Sequence, residues 1–589
     1  MEVAKPVILT RRAVLTVVAS VTLFATFIRM AVLIAPYNSH HSNIVMKNLV
    51  HMALGSNHSI HAACQGSADP QLCASIMASL GAEWPKYDHE EPSVELLKES
   101  VLKISAFVEQ STARALALMP KAASGLEQIA LADCLDLYNL TLDELGQAFQ
   151  YLHNFSQNLN NPEHGFEASY AHMFLSAALT NQDTCIEGFA NTNGALKSQM
   201  QLNAQVNSYI LSPCLAMSKK ISDLSAQSPA PAPSPASRRA LLWGLNDDFP
   251  AWLSASDRRL LKDSTGNLQI DAVVAQDGTG DYCTISEAVE DSPQKSEKRY
   301  VIYVKAGVYR ENVEIEKNKR YLTLIGEGIN CTIVTGNRSV ADNITTYHTA
   351  TFAVKAEGFI ARDITFENTA GAENNQAVAL LVVSHESVFY RCSMKGYQDT
   401  LYAHSLCQFY RECEIYGTVD FIFGDAAAVF QKCVIMARKP MIGQQITITA
   451  QGRNTADSDT GFSIHDCNVM AAPDLIPVKD SFQTFLGRPF GEYSRTVFMQ
   501  SYLDDIIQPK GWVPWNASDF ALNTLFYGEY KNYGVGASVE ARVNWTGYQI
   551  LEHPSQVKKF TVARLIHGKK WLKPTGVPFI AGLKHDQRD

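Results

Sequence analysis

The N-terminal part of the chain carries the hydrophobic periodicity of α-helices. Between about residues 55 and 216, apolar residues recur at steps of three and four, which gives each predicted helix one apolar stripe. Four or five such segments predict a helical bundle. The clearest stripes are Val101, Ile104 and Val108, and Leu131, Leu135, Tyr138, Leu142 and Leu145.

The pattern changes at about residue 267 to many short apolar runs separated by turn residues. Val301–Val304, Leu322–Ile325 and Ala377–Val383 are examples, rich in the β-branched residues that favour strands. No long helical stripe separates these runs, which argues against a sheet built from alternating strands and helices. The C-terminal part is therefore predicted to be all-β.

A weak repeat of 20 to 22 residues runs through the β-rich part. Gln376 and Gln398 are 22 residues apart, and Asp399 and Asp420 are 21 residues apart. Repeats of this length are typical of solenoids, and short strands make the solenoid a parallel β-helix. A β-sandwich is the alternative.

Twelve cysteines are a modest number for this length and do not indicate a small disulfide scaffold, but an oxidising compartment would favour disulfide bonds among them. Two expected pairs would staple helical segments together, and a third would join residues that lie one above the other on adjacent coils. Cys392–Cys413 competes with the third pair. The expected pairs are Cys64–Cys73, Cys134–Cys185 and Cys413–Cys433. Surplus thiols are more often buried and inert than functional, and the cysteines left without an assigned partner are Cys214, Cys283, Cys331, Cys392, Cys407 and Cys467.

Residues 1–36 resemble a targeting segment. Lys5, Arg11 and Arg12 precede the apolar run Ala13–Ile28, which Arg29 interrupts before further apolar residues. A basic stretch followed by an apolar run indicates a secretory signal or signal-anchor, whereas a buried core helix is the alternative. Eight Asn-x-Ser/Thr sequons support secretion. They are Asn57, Asn139, Asn154, Asn330, Asn337, Asn343, Asn516 and Asn544.

A linker is predicted between the two parts, over residues 217–262. Ser228–Ala236 alternates proline with small residues and has polyproline character. Two dibasic pairs follow, Arg238-Arg239 and Arg258-Arg259, each before leucines. Because similar pairs occur twice in one exposed linker, we interpret them as processing sites rather than as ordinary solvated charges.

Composition excludes some classes of function. A chain of 589 residues is too long for one core, so two or more domains are expected. The net charge of −9 gives no basic surplus for binding nucleic acid. The histidines show no metal-ligand spacing, and the glycines of Asp277–Gly280 lack the Gly-Lys-Ser/Thr of a nucleotide-binding loop. No cofactor or metal is therefore predicted.

Two aspartates stand in unusual apolar and aromatic settings. Asp399 lies within Gly396–Tyr402, and Asp420 lies within Gly417–Gly424. A carboxylate among such residues needs a partner or a function, because aspartate is rarely buried unpaired. On adjacent coils, two stacked carboxylates divide the roles of acid and nucleophile between them.

Five ordered motifs resemble plant pectin methylesterases over about residues 267 to 580. They are Gly307–Glu311, Gln376–Leu380, the two aspartate segments and Leu486–Phe490. The helical part is similar to the pectin methylesterase inhibitor family, through the Cys64/Cys73 hairpin, the residues around Asp133-Cys134, and Leu175–Cys185. The resemblance implies a right-handed parallel β-helix over residues 263–580, preceded by an all-α four-helix-bundle domain over residues 55–216.

The resemblance also implies residue roles in the hydrolysis of a methyl ester. Asp420 matches the nucleophile, and Asp399 matches the proton donor that later acts as base. Gln376 and Gln398 match the pair of oxyanion donors, which carry no charge themselves. Arg488 matches the arginine that keeps the nucleophile ionised. Thr346 matches a substrate-contacting threonine, and Phe490 stands where the family usually has tryptophan.

The implied protein is a secreted pro-enzyme of the plant cell wall. Its expected partners are methylesterified pectin, its own inhibitor-like domain, a subtilisin-like processing protease and separate proteinaceous inhibitors. Two other functions compete with this interpretation. A β-helix lyase or glycosidase also uses paired carboxylates, and a non-enzymatic chain would inhibit pectinesterases or bind the wall polymer.

Overall fold

The computed structural model describes residues 94–158, 165–227 and 270–584. The targeting segment, the Cys64–Cys73 pair, Asn57, the proline-rich part of the linker and both dibasic pairs lie outside the described residues. None of the helices in the described ranges combines the length and the apolar character needed to cross a membrane.

Four long helices form the N-terminal bundle of the described residues. They are α1 (Val94–Leu118), α2 (Gly125–Gln157), α3 (Gly165–Glu187) and α4 (Ala195–Gln227). The predicted stripes face the bundle core, because Val101, Ile104, Val108, Leu131, Tyr138 and Leu145 are almost completely buried. The hydroxyl of Ser124 caps α2 by accepting from the Glu127 N–H at 3.2 Å. Helix α4 continues past the predicted end at residue 216, although it contains Pro213.

A disulfide joins the two central helices of the bundle. Cys134 on α2 is bonded to Cys185 on α3, which confirms that expected pair. Both sulfur-bearing residues are fully buried, so the bond crosses the bundle core. It closes a stretch of 51 residues and therefore restricts the unfolded chain strongly.

We expect the double substitution Cys134→Ser and Cys185→Ser to destabilise the bundle by about 4 kcal/mol, from the loop-closure entropy of a cross-link of this length. The helical signal of the intact chain at 222 nm, followed against temperature, measures the loss. Cys214→Ala is the matched control, because Cys214 is also buried in the bundle but is not bonded to another cysteine. Equal melting of the control and the double variant would contradict this prediction.

The C-terminal part consists of 26 short strands with a few short helices among the described residues. Helix α5 is Ile285–Asp291, and the short helices α6 to α8 near the end are Pro554–Val557, Val562–Leu565 and Gly568–Thr575. Strands β1 to β13 are Ala272–Val274, Tyr300–Val304, Gly307–Arg310, Val313–Ile315, Leu322–Ile325, Thr332–Gly336, Phe352–Val354, Ile360–Arg362, Thr365–Asn368, Leu380–Val382, Ser387–Tyr390, Ser393–Lys395 and Leu401–Ala403. Strands β14 to β26 are Cys407–Arg411, Glu414–Gly417, Ile422–Gly424, Ala427–Gln431, Val434–Ala437, Ile446–Gln451, Gly461–His465, Asn468–Ala471, Thr484–Gly487, Arg495–Met499, Tyr502–Leu503, Phe526–Tyr530 and Tyr548–Ile550.

The strands form three parallel sheets that wind into a β-helix. The eleven-stranded sheet has the order β1-β2-β5-β8-β11-β14-β17-β20-β23-β25-β26. The seven-stranded sheet is β22-β19-β16-β13-β10-β7-β4, and the eight-stranded sheet is β24-β21-β18-β15-β12-β9-β6-β3. Each inner strand thus pairs with its equivalents on the coils before and after it. This arrangement confirms the predicted solenoid and excludes the β-sandwich.

The core of the β-helix is filled by side chains that stack from coil to coil. Phe389, Tyr410 and Phe430 occupy equivalent positions on three consecutive coils. Their rings stack at 5.1 and 4.6 Å between centroids, nearly parallel. Such in-register stacking explains the repeat of 20 to 22 residues, since one coil places the same kind of residue above the next.

The expected Cys413–Cys433 bond is not formed, and neither is the competing Cys392–Cys413 bond. The positions are as predicted, because the residues that follow Cys392, Cys413 and Cys433 pair in register on consecutive coils. Parallel in-register strands place equivalent side chains next to each other, and here the Cys413 thiol hydrogen-bonds to the thiols of Cys392 and Cys433 without a covalent bond. The thiols of Cys413 and Cys433 each donate to a carbonyl of the coil before, at 3.2 Å from Cys413 to Phe389 and 3.5 Å from Cys433 to Tyr410. The Cys392 thiol donates to the Tyr390 carbonyl of its own coil at 3.5 Å.

The sequon asparagines within the described residues all lie on the surface. All seven are exposed, as N-glycosylation requires. They are Asn139, Asn154, Asn330, Asn337, Asn343, Asn516 and Asn544. Their modification stays a prediction.

Candidate active site

The two candidate aspartates lie side by side on adjacent coils of the seven-stranded sheet. Each stands two residues before a strand, and these strands pair with Leu401 opposite Ile422. The Asp399 N–H donates to the carbonyl of Val419 at 3.0 Å, which holds the two segments together. Both aspartates are buried, at 8% and 5% exposure. The 21-residue spacing therefore brings them together, as the sequence predicted.

Both aspartates have a left-handed backbone, with φ of 62° at Asp399 and 50° at Asp420. This conformation is uncommon for residues other than glycine, although aspartate tolerates it better than most. Strained backbone persists only where the surrounding structure holds it, and it is frequent at catalytic sites. The same conformation recurs at turns between other strands, such as those at Glu412, Lys432 and Asp466, so it does not by itself distinguish the two carboxylates.

Arg488 and Thr447 fix the carboxylate of Asp420. The guanidinium of Arg488 donates to both carboxylate oxygens, at 2.8 Å from Nε and 2.6 Å from Nη2. The Thr447 hydroxyl donates to Oδ1 at 2.6 Å, and the Asp420 N–H donates back to that hydroxyl at 2.8 Å. A bidentate arginine is among the strongest partners of a carboxylate. Sequence reasoning missed Thr447, whose only signal is its place in a strand one coil after Asp420.

The carboxyl of Asp399 has different surroundings. Burial raises its pKa well above the usual range, and the neighbouring Asp420 raises it further, as does Glu187 of α3, whereas Arg488 opposes them. A raised pKa favours the protonated acid. The site thus places a proton donor beside a carboxylate that is held by an arginine.

A cavity of about 370 Å³ opens beside the two aspartates. Gln398, Thr447 and Arg488 line it together with Val419 and Gly443–Gln445. Gln398 therefore presents an uncharged amide donor to the space next to Asp420. Gln376 precedes β10 on the coil before, is half-buried, and is not among the residues that line the cavity.

Phe490 packs against an aromatic residue that sequence reasoning missed. The ring of Trp515 lies 5.3 Å from the Phe490 ring, and the Arg488 guanidinium lies 4.4 Å from the Trp515 ring centroid. Trp515 comes from a loop after β24, so nothing local in the sequence links it to Arg488. It supplies an aromatic face beside Phe490.

Thr346 lies at the contact with the helical bundle, and no hydrogen bond joins it to either of the two aspartates in the described part of the chain. Its neighbour Thr345 donates to the carboxylate of Asp133 on α2. Its other neighbour, Tyr347, donates to Asp136 at 3.0 Å. Lys355, which is 4% exposed, pairs with the same Asp136 at 2.7 Å. Helix α2 thus binds the residues on both sides of Thr346 through two aspartates.

Helix α3 crosses the loops that follow strands of the seven-stranded sheet. The Thr180 hydroxyl donates to Asp425 at 2.8 Å. The Thr184 hydroxyl lies 2.9 Å from Nε2 of His404. The Asn454 amide donates to Asp183 at 2.9 Å. Asp425 follows Asp420 by five residues, at the end of β16. The bundle therefore contacts the seven-stranded sheet directly beside the candidate site.

The N-terminal half of α3 buries a further titratable group of the β-helix. The Tyr170 hydroxyl donates to Glu386 at 2.9 Å, and burial raises the pKa of Glu386 to about 7 although this hydrogen bond lowers it. The Tyr170 ring also contacts His385 at 4.9 Å, and burial lowers the pKa of that histidine to about 3. The contact between bundle and β-helix is therefore sensitive to protonation.

Comparison with protein families places known domains on both parts of the chain. The profile described as "Pectinesterase" matches residues 271–569. The profile described as "Plant invertase/pectin methylesterase inhibitor" matches residues 58–225. The second match ends near the end of α4 rather than at residue 216, in agreement with the helix bounds.

Curated plant proteins and a solved structure are similar to this chain. "Pectinesterase/pectinesterase inhibitor U1" of Solanum lycopersicum is 43% identical over 579 residues, which cover 97% of each chain. "Probable pectinesterase/pectinesterase inhibitor 32" of Arabidopsis thaliana is 48% identical and covers 77% of this chain and 85% of its own. The structure "Pectin methylesterase from Carrot" is 50% identical, with a TM-score of 0.54, over 54% of this chain and 100% of its own.

Proposed function

The chain belongs to the pectinesterase family and carries a pectinesterase-inhibitor domain before its β-helix, and from this premise we propose how its residues cleave a methyl ester and how the helices restrain them. It is a carboxylic ester hydrolase that converts methylesterified pectin and water to pectate and methanol. The observation that carries the proposed mechanism is the pair of adjacent carboxyls in opposite surroundings, with Asp420 held by Arg488 and Asp399 of raised pKa beside it.

In the first half of the reaction, the Asp420 carboxylate attacks the carbonyl carbon of the ester. The negative charge that develops on the carbonyl oxygen is met by the Gln398 amide, with Gln376 as the second donor of the family pair. Asp399 gives its proton to the methoxy oxygen, so that methanol leaves and an acyl-enzyme remains. Arg488 positions the nucleophile for the attack.

In the second half, Asp399 has lost its proton and acts as the base. It takes a proton from a water molecule, and the resulting hydroxide attacks the acyl carbon. The bond to Asp420 breaks, the galacturonate carboxyl is released, and Asp399 holds a proton again. Atoms and protons balance over the cycle, with no cofactor required.

Methanol release from methylated pectin tests this function. We expect the fragment beginning near Lys262 to release methanol and to leave the polymer length unchanged. A lyase or a glycosidase would shorten the polymer instead, so size-exclusion analysis of the product separates the three activities. Shortened chains without methanol would overturn the proposal.

We also propose that the protein reaches the plant cell wall by the secretory route and is cut in its linker. The exposed sequons, the N-terminal apolar run and the dibasic pairs support this route. The processing protease would be of the subtilisin-like class, and separate proteinaceous inhibitors would bind the released β-helix. N-terminal sequencing of the mature secreted form tests the cleavage site. A mature form that still begins before Arg238 would contradict processing at either pair.

The aromatic face of Trp515 leads to a prediction for substrate binding. We expect Trp515→Ala in the processed fragment to raise KM by about ten-fold and to lower kcat less, because the ring offers a stacking face for sugar and also contacts Arg488. Kinetics of methanol release give both constants. Trp515→Phe is the matched variant and should retain most of the binding. Equal KM for wild type and Trp515→Ala would remove Trp515 from the substrate site.

The raised pKa of Glu386 leads to a prediction for the pH dependence of the restraint. Burial raises the pKa of Glu386 to about 7, and Tyr170 of α3 contributes to that burial. Docking therefore favours the protonated form of Glu386, so this group does not oppose docking at low pH and opposes it as pH rises through 7. Glutamine at position 386 cannot ionise, so the substitution removes the opposition to docking at high pH. We therefore expect intact Glu386→Gln protein to release methanol about five-fold more slowly than the intact wild type at pH 8, and equally at pH 4.5.

The control for this experiment is the processed fragment carrying the same substitution. Because the fragment lacks α3, its activity relative to the wild-type fragment should be the same at both pH values. Other titratable groups at the contact, His385 among them, are present in both the intact wild type and the intact variant. Their effects on docking therefore cancel when the two rates are compared. A variant effect that is equal at pH 4.5 and pH 8 would show that Glu386 does not couple docking to protonation.

A further inference from the structure

Arg438 joins two segments that line the catalytic cavity. It follows β18 of the eight-stranded sheet, and it begins the loop whose last residues, Gly443–Gln445, form one side of the cavity. Its backbone N–H donates to the carbonyl of Gly417 at 2.8 Å, which continues the pairing of β15 with β18. The Arg438 backbone therefore lies at a fixed height, one coil beyond the turn that leads to Asp420.

The guanidinium of Arg438 reaches back across that coil to the turn before Asp399. Nη1 donates to the Gly396 carbonyl at 2.9 Å, and Nη2 donates to the Tyr397 hydroxyl at 2.7 Å. The guanidinium also lies 3.8 Å from the centroid of the Tyr397 ring. An arginine offers a planar fork that donates in two directions and stacks on a ring, whereas a lysine ammonium has no such fork. One side chain thus holds both residues of the turn.

Asp474 holds the same guanidinium from the opposite side. It lies in the loop after β21, on the coil after Arg438, and its carboxylate accepts from Nε at 3.3 Å. Each of the three guanidinium nitrogens therefore donates to a group of the protein itself. Because these donors are already committed, the contribution of Arg438 to the site is the placement of neighbouring residues rather than a bond to the ester.

The turn that Arg438 holds is tightly packed against the residues that follow it. The Thr400 hydroxyl donates to the Tyr397 carbonyl at 3.2 Å. A β-carbon at Gly396 would lie only 2.7 Å from the oxygen of the same hydroxyl. Since the turn has no room to move by itself, a displacement of the turn would be transmitted to the next two residues, Gln398 and Asp399.

We propose that Arg438 is a positioning residue for the ester hydrolysis, because it fixes where the Gln398 amide and the Asp399 carboxyl lie. The inference rests on the proposed function, in which these groups are an oxyanion donor and the proton donor. Both act in the transition state, where a displacement of about 1 Å costs up to about 10²-fold in rate. Loss of the arginine fork therefore lowers kcat, whereas KM changes little.

Kinetics of methanol release by the processed fragment test the proposal. The carrot structure covers all of its own chain and 54% of this one, so a β-helix of this family folds without the helical bundle. We expect Arg438→Lys to lower kcat by about 30-fold and to leave KM within about two-fold. Lysine keeps a positive charge beside Asp474, so the loss measures the fork rather than the ion pair.

Arg391→Lys is the matched control. Arg391 also donates to a carboxylate, that of Asp363, and lies over the ring of Tyr390, but it stands in the turn after β11. We expect this variant to keep the kcat of the wild type. Equal kcat values for Arg438→Lys and Arg391→Lys would overturn the proposal.

The pH profile of kcat/KM separates positioning from a loss of stability. The first half of the reaction needs protonated Asp399, so activity falls as the pH rises through the raised pKa of this residue. Displacement of the segment reduces the burial and the proximity to Asp420 that raise this pKa. We therefore expect the basic limb of the profile to move to lower pH in Arg438→Lys. A lower melting temperature with an unchanged profile would assign Arg438 to stability alone and would overturn the proposal.

Hydrogen exchange separates this inference from the proposed function. The Asp399 N–H donates to the Val419 carbonyl at 3.0 Å, so its exchange rate reports whether the segment is held. We expect faster exchange of this N–H in Arg438→Lys than in Arg391→Lys. That result in a fragment whose wild type releases no methanol would contradict only the esterase function. Unchanged exchange and unchanged kcat in Arg438→Lys, in a fragment that releases methanol, would contradict only the inference.

Discussion

Asp420→Asn in the processed fragment is expected to lower methanol release by about 10⁴-fold or more, the range found when a catalytic nucleophile is removed. Asparagine keeps the shape of the side chain and tolerates the left-handed backbone at this position. It cannot form the acyl-enzyme, because the amide is not a nucleophile comparable with a carboxylate. The fold should remain, and circular dichroism of the variant checks this.

The matched control is Asp466→Asn. Asp466 also has a left-handed backbone, with φ of 55°, and lies on the same β-helix, where it pairs with Lys584 at 2.7 Å. It follows β20 of the eleven-stranded sheet, whereas Asp420 precedes β16 of the seven-stranded sheet. We expect this variant to keep the activity of the wild type within a few-fold. Activity within ten-fold of wild type in Asp420→Asn would remove Asp420 from the role of nucleophile.

The sequence predicted those parts of the site that repeat with the coil. Asp399 and Asp420 are 21 residues apart and are neighbours because strands β13 and β16 pair in register. The next coil is longer, since Ile422 pairs with Thr449, so the repeat loses its period after Asp420. Thr447 lies on that coil and was therefore missed. A period predicts neighbours only while each coil has the same length.

The contacts of Trp515 and of the bundle were missed for a different reason. Trp515 reaches Arg488 from a loop, and loop positions carry no periodic signal. The threonines of α3 that contact the β-helix lie on a helix that is buried almost all round, so no polar stripe marks them as a contact surface. The sequence also suggested a bond between Cys413 and Cys433. Stacking was predicted correctly, but the direction of the side chains depends on the strand register and cannot be obtained from spacing alone.

The proposed restraint by the helices predicts a gain of activity from a loss of contacts. In the intact chain, the double substitution Asp133→Asn and Asp136→Asn removes the negative charges that hold Thr345, Tyr347 and Lys355. Lys355 is 4% exposed and retains only Glu314 as a charged partner. Removing one partner of a buried ion pair is costly, and we take about 2 kcal/mol here because the second carboxylate remains. That free energy changes the ratio of docked to undocked chains by about 30-fold.

We therefore expect the intact double variant to release methanol at a rate close to that of the processed fragment, while the intact wild type stays well below it. The fragment lacks both residues, so its activity sets the upper limit without any change in the catalytic domain. Glu109→Gln on α1 is the matched control, because it removes an exposed carboxylate of the same bundle. If the double variant and Glu109→Gln are equally restrained, or if the intact wild type is as active as the fragment, helix α2 does not hold the enzyme closed. A gain of activity that needs no cleavage would instead show that these contacts around Thr346 couple the helices to the catalytic aspartates.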